Sequence, residues 1–113
     1  MVIFEINSKL EKKIRLTEVQ WAHIRIKHSE LDNQLSKMIE TLKEPDLVCY
    51  SSDEENYQYY KYFAKTPVNE KYLLVIVKHL NKEGFVITAF FVGKIKKEFK
   101  EVVYGEKNFY KLR

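Results

Sequence analysis

Residues 1–6 alternate weakly between apolar and polar and predict a short strand, with a turn at Asn7-Ser8. Residues 12–16 are either a second extended piece or the entry to a helix. From 17 to 28 the apolar residues Val19, Trp21, Ile24 and Ile26 recur at helical spacing, with Thr17 placed to act as N-cap. At about 100° per residue, Trp21, Ile24, His28 and Leu31 share one face, while His23 turns aside toward Val19 and Ile26. Asp32 is then placed to cap a second helix whose inward stripe is Leu35, Met38, Ile39 and Leu42. Lys43-Glu44-Pro45-Asp46 ends it, because the residue before a proline is pushed out of the helical region.

After Pro45 the period changes. Residues 47–50 read as a short strand, 51–56 as an acidic polar loop, and 57–63 as a strand rich in tyrosine. A turn at 65–70 leads to 72–78, a nearly continuous apolar run that suits a central strand covered on both faces. Residues 81–84 then predict a hairpin loop with Gly84 supplying positive φ, and 85–92 its partner strand, with a further strand around 101–104. Helices followed by a meander of antiparallel strands is an α+β layout, with the helices packed on one face of a curved sheet. The alternation of a doubly wound nucleotide fold is absent.

The 113 residues suit a single domain with one core, spanning 1–113. No apolar run is long enough to span a bilayer, and the first residues lack the basic and apolar segments of a signal peptide. No membrane partner and a cytoplasmic location are therefore expected, in keeping with Cys49 as the single cysteine. The net charge of +4 changes the picture through its placement. Residues 94–113 hold seven Lys or Arg (94, 96, 97, 100, 107, 111, 113) against three Glu, which is the whole excess. Such a basic C-terminal tail is either a solvated surface segment or the electrostatic footprint of a polyanion such as RNA.

Candidate chemistry is sparse. The three glycines are scattered, so there is no phosphate loop. His23 and His28 lie five residues apart, about 140° around a helix, which does not suit a metal pair, and neither a metal nor another cofactor is expected. His28 on an apolar face is either a satisfied core histidine or a working one. The aromatic strand is either a packed sheet face or a stacking surface for nucleobases. Lys61 and Lys78, each inside a strand, either snorkel to the surface or face a cleft and hold phosphate. Thr88 is the one hydroxyl in its apolar run.

Taken together and in order, these motifs resemble a known group. Trp-x-His-Ile-x-x-Lys-His-Ser-Glu at 21–30 is followed by Ile39, Leu42 and Pro-Asp-Leu-Val at 45–48, and by Tyr-Tyr-Lys at 59–61. The series ends with Tyr-Leu-Leu-Val-Ile-Val-Lys at 72–78 and Gly-Phe-Val-Ile-Thr-Ala-Phe at 84–90. The series, over about residues 20–95, looks like the phage-associated barnase–EndoU–colicin–RelE-like nucleases. That resemblance implies helices on an antiparallel sheet of about four strands, and a metal-independent ribonuclease found among toxins, phages and mobile elements. Carried over by motif, it makes His23 and His28 the helix-borne catalytic candidates and adds Tyr60, Lys61 and Thr88. Ser29 stands where the family usually has proline, and Phe90 where it usually has tyrosine, which removes one hydrogen-bond donor.

RNA can be cut without metal because its own 2′-OH attacks the adjacent phosphorus, given a base, an acid and donors around the phosphoryl oxygens. In that scheme His28 is the principal base or acid, and His23 either its partner or a brace for the helix. Lys61 offsets charge on the phosphorane, Thr88 and Tyr60 donate hydrogen bonds, and Lys78, Lys94, Lys96 and Lys97 bind the RNA. The implied partners are tRNA or mRNA and an antitoxin or immunity protein. The rival expectation is a non-catalytic RNA- or protein-binding module on the same fold.

Overall fold

The computed structural model describes residues 1–98 and 100–105. The basic residues Lys107, Lys111 and Arg113 lie outside the described residues. The chain runs β1 (Val2–Asn7), β2 (Lys13–Thr17), α1 (Glu18–Lys27), a 3₁₀ turn (Ser29–Leu31) and α2 (Leu35–Lys43). It continues through β3 (Leu47–Ser51), β4 (Asn56–Tyr62), β5 (Tyr72–His79), β6 (Glu83–Val92) and β7 (Glu101–Tyr104). The strands form one seven-stranded sheet in the order β1-β2-β6-β5-β4-β3-β7.

The α+β class stands, but the expected sheet of about four antiparallel strands does not. The meander β3–β6 forms its centre, as the apolar runs required. The N-terminal hairpin β1–β2 joins through a parallel pairing of β2 with β6, and β7 adds to the free edge of β3. These additions rest on pairings between segments far apart in sequence, which no local pattern records.

Strand alternation sends side chains to two faces. On one face Val48, Tyr59, Leu73, Val75, Val77, Ala89 and Phe91 pack with Trp21 and Ile24 of α1 and Met38 and Leu42 of α2. On the other, Leu47, Cys49, Tyr60, Tyr72 and Leu74 pack with Ile95 from the segment that leaves β6. Among the described residues no helix covers this second face, which leaves part of it open.

α1 begins as the sequence predicts, with Thr17 Oγ1 accepting from the Gln20 backbone N–H at 3.2 Å. It ends one residue early. His28 is its C-cap at φ −135°, donating its N–H to the Ile24 carbonyl, and therefore leaves the stripe that Trp21 and Ile24 continue. Only Trp21 and Ile24 of α1 are buried, whereas Val19 and Ile26 are exposed. Asp32 does not cap α2: it closes the 3₁₀ turn, and α2 starts from Gln34 without a side-chain cap bond. Gly84 is likewise no positive-φ hairpin residue. It is paired inside β6 opposite His79 and Ile14, where a Cβ would run into the Lys78 carbonyl and Ile14 Cδ1.

β2 pairs with β6 only through residues 13–15 and 83–85. Beyond that point α1 packs against β6, and the Gln20 side-chain amide donates to the Ile87 carbonyl. A helix docked against this stretch of β6 brings its C-terminal end toward the open face of the sheet.

Candidate functional site

That docking produces a cleft of about 440 Å³ lined by Gln20, His23, Ile24, Lys27, His28, Ile87 and Thr88. His23 and His28, 140° apart in helical projection, thus reach one cleft, because His28 leaves the helical path while His23 stays on it. The His28 ring stacks on Phe90, with centroids 5.0 Å apart and planes inclined by 25°. Its Nδ1 lies 3.8 Å from a Glu30 carboxylate oxygen, and its side chain is 30 % exposed.

Phe90 separates this cleft from a larger cavity of about 670 Å³ on the open face. Leu74, Ile76, Phe90 and Val92 contribute its apolar lining, Gln58 and Tyr60 its buried polar groups, and Lys94, Lys96, Lys100 and Glu54 further lining. Lys100 Nζ donates to Gln58 Oε1 at 2.6 Å and to the Lys96 carbonyl at 3.0 Å. The Tyr60 hydroxyl donates toward the same Gln58 oxygen at 3.3 Å. Burial pushes the Tyr60 phenol up to about 12, so it stays a neutral donor at physiological pH. Burial also raises the Cys49 thiol, which packs beneath this face, against the opposing pull of Lys100 and Lys97.

The expected site residues divide between two neighbouring hollows, with Thr88 on the same side of the sheet as Ile76 and Phe90. His23, His28 and Thr88 converge in the smaller cleft, and Tyr60, Lys94 and Lys96 line the larger cavity. Lys97 is half-buried beside it, and Lys78, two residues beyond Ile76, donates to the Glu55 carbonyl at 3.2 Å. Lys61 lies apart from both. Adjacent strand residues point to opposite faces, and Lys61 reaches the C-terminal end of α2, donating to the Glu44 carbonyl at 2.8 Å with Glu40 at 3.9 Å.

Among the polar residues at these cavities, sequence reasoning misses Gln20, Lys27, Glu54 and Gln58, and reaches Lys100 only as part of the basic tail. Gln58 carries a readable signal, since it is one of two polar members of an aromatic run and, unlike Lys61, shares strand parity with Tyr60. The third histidine, His79, carries no sequence motif. His79 stacks on Tyr57 at 3.8 Å on the helix-covered face, and its Nε2 lies 3.0 Å from the Tyr59 hydroxyl, which donates to Ser8 at 2.9 Å. Burial, with Lys12 adding to it, lowers His79 to about 4.

Among the described residues no three His, Cys, Asp or Glu side chains are grouped so that they could hold a metal ion, and no helix is long and apolar enough to cross a membrane. Compared with known proteins, the chain matches no family model, no curated protein and no solved structure.

Proposed function

We propose that this protein is a metal-independent ribonuclease that cleaves RNA by attack of the 2′-OH on the adjacent phosphorus. The observation that carries the reading is the convergence of His23, His28, Lys27 and Thr88 on one cleft beside a lysine-lined cavity. One imidazole takes the 2′-OH proton as the O2′–P bond forms. The other gives a proton to the 5′-oxygen as the P–O5′ bond breaks, leaving a 2′,3′-cyclic phosphate and a 5′-hydroxyl. Lys27, and not Lys61, offsets charge on the phosphorane, and Thr88 donates to a phosphoryl oxygen. The motif order resembling the barnase–EndoU–colicin–RelE-like nucleases supports the same reading. On it, the substrate is tRNA or mRNA in the cytoplasm, and an antitoxin or immunity protein covers the clefts.

One observation favours a second reading, an RNA-binding module that does not cut. Tyr60 and Lys61, two of the five expected catalytic groups, do not line the histidine cleft. Labelled tRNA and mRNA incubated with the protein in EDTA separate the two. Cleavage with cyclic phosphate ends is expected, and His28→Ala lowers its rate by about 10²–10⁴ while circular dichroism stays unchanged. Cleavage by the variant at the parental rate would remove His28 from the mechanism, and salt-sensitive binding with no cleavage would select the module.

A further inference from the structure

The 670 Å³ cavity is larger than a phosphate group needs and lies in the range of sites that enclose a small organic ligand. Its chemistry has two parts. The apolar part is Leu74, Ile76, Phe90 and Val92, with Phe90 supplying an aromatic ring. The cationic part is Lys94, Lys96 and Lys100, none of which has a carboxylate within 4.0 Å among the described residues. Among the described residues Glu54 is the one acidic group in the lining. A ligand that is flat and apolar on one side and anionic on the other matches both parts.

We infer that this cavity is a nucleotide subsite, seating one nucleobase on the apolar floor and its phosphate on Lys94 and Lys96. Gln58 is the group that reads the base. Its Oε1 already accepts from Lys100 and Tyr60, while its Nε2 gives one hydrogen to Asn56 Oδ1 at 3.3 Å and has a second to offer. A base edge presenting an acceptor is therefore favoured over one presenting only a donor at that point. Phe90, stacked on His28, joins the subsite to the cleft where the scissile phosphate lies, so the base held here belongs to a nucleotide flanking the cut. That last step rests on the ribonuclease reading. The capacity to hold a nucleotide does not.

The test is a chemical-shift titration of the intact protein with the four nucleoside 5′-monophosphates, an unphosphorylated nucleoside and inorganic phosphate. Saturable shifts at Ile76 and Phe90 are expected, with at least one nucleotide binding about tenfold more tightly than its nucleoside or phosphate alone. The four bases separate in affinity, and Gln58→Glu reorders them. Ile76→Trp, which fills a half-exposed strand position with a residue strands accept, removes binding. Lys94→Glu with Lys96→Glu weakens nucleotides but not the nucleoside. Equal binding of phosphate and all four nucleotides, no saturation, or unchanged affinity in Ile76→Trp overturns the inference. Nucleotide binding without RNA cleavage leaves the subsite standing and removes the ribonuclease. Cleavage without nucleotide binding does the reverse.

Discussion

His79 shows how one buried side chain ties this fold to pH. The Tyr59 hydroxyl hydrogen is committed to Ser8, so the phenol oxygen is left to accept from a neutral imidazole. Burial makes protonation costly and lowers the ring from 6.5 to about 4. Below about pH 6.5 the unfolded chain takes up a proton that the folded chain refuses. Stability from this group is therefore complete above the unfolded value and is lost as pH falls toward 4. The loss is on the order of 1–3 kcal/mol. His79→Phe keeps the stack on Tyr57 and removes the titration. Urea unfolding at neutral pH and near the lower limit of this window should show a smaller drop for the variant than for the parent. Parallel drops would mean that another group carries the acid sensitivity.

At the level of elements, the junction of β2 with β6 places α1, and with it both histidines of the cleft. Gly84 holds that junction because Ile14 and the Lys78 carbonyl occupy the space a side chain would need. Gly84→Ala should destabilise by about 1–3 kcal/mol through overpacking. Gly93→Ala, where the nearest atom is the Glu70 Cγ at 3.9 Å, should stay within about 0.5 kcal/mol. Urea midpoints of the two variants check this, and equal shifts would mean that the close approach is not what Gly84 provides. The same junction marks the limit of what the sequence makes legible. Strands β5 and β6 are readable because they are nearly continuous apolar runs, β4 because it is rich in tyrosine, and Thr17 because capping is local. The parallel β2–β6 pair is not, since nothing near Lys13 names its partner seventy residues away. Tyr60 and Lys61 are separable by strand alternation alone, as neighbours in a strand cannot face one site. A run of tyrosines hides that alternation, because apolar and polar faces look alike in it.

For the whole molecule, two helices cover one side of a seven-stranded sheet and leave cationic groups gathered on the other. Lys94 and Lys96 line the open cavity, Lys100 is held within it, and Lys27 faces the adjoining cleft. The helix-covered side differs, for there Lys61 pairs with the end of α2 and Lys37 lies over the Phe63 ring, 5.8 Å from its centroid. If RNA lies across the open face, its affinity falls with salt by about 0.7 in log–log slope for each phosphate neutralised on a single strand. Replacing Lys94 and Lys96 with alanine should therefore flatten the slope by about 1.4 between roughly 50 and 200 mM salt. Replacing Lys37 and Lys43 of α2 instead should leave the slope unchanged, although both pairs remove the same net charge. Fluorescence anisotropy with a 2′-O-methyl RNA, which cannot be cut by its own 2′-oxygen, reads binding apart from cleavage. Equal flattening by both pairs would mean that net charge, and not the open face, draws the RNA. In that case Lys94 and Lys96 would be solvated surface lysines and the cleft histidines would have lost their electrostatic company.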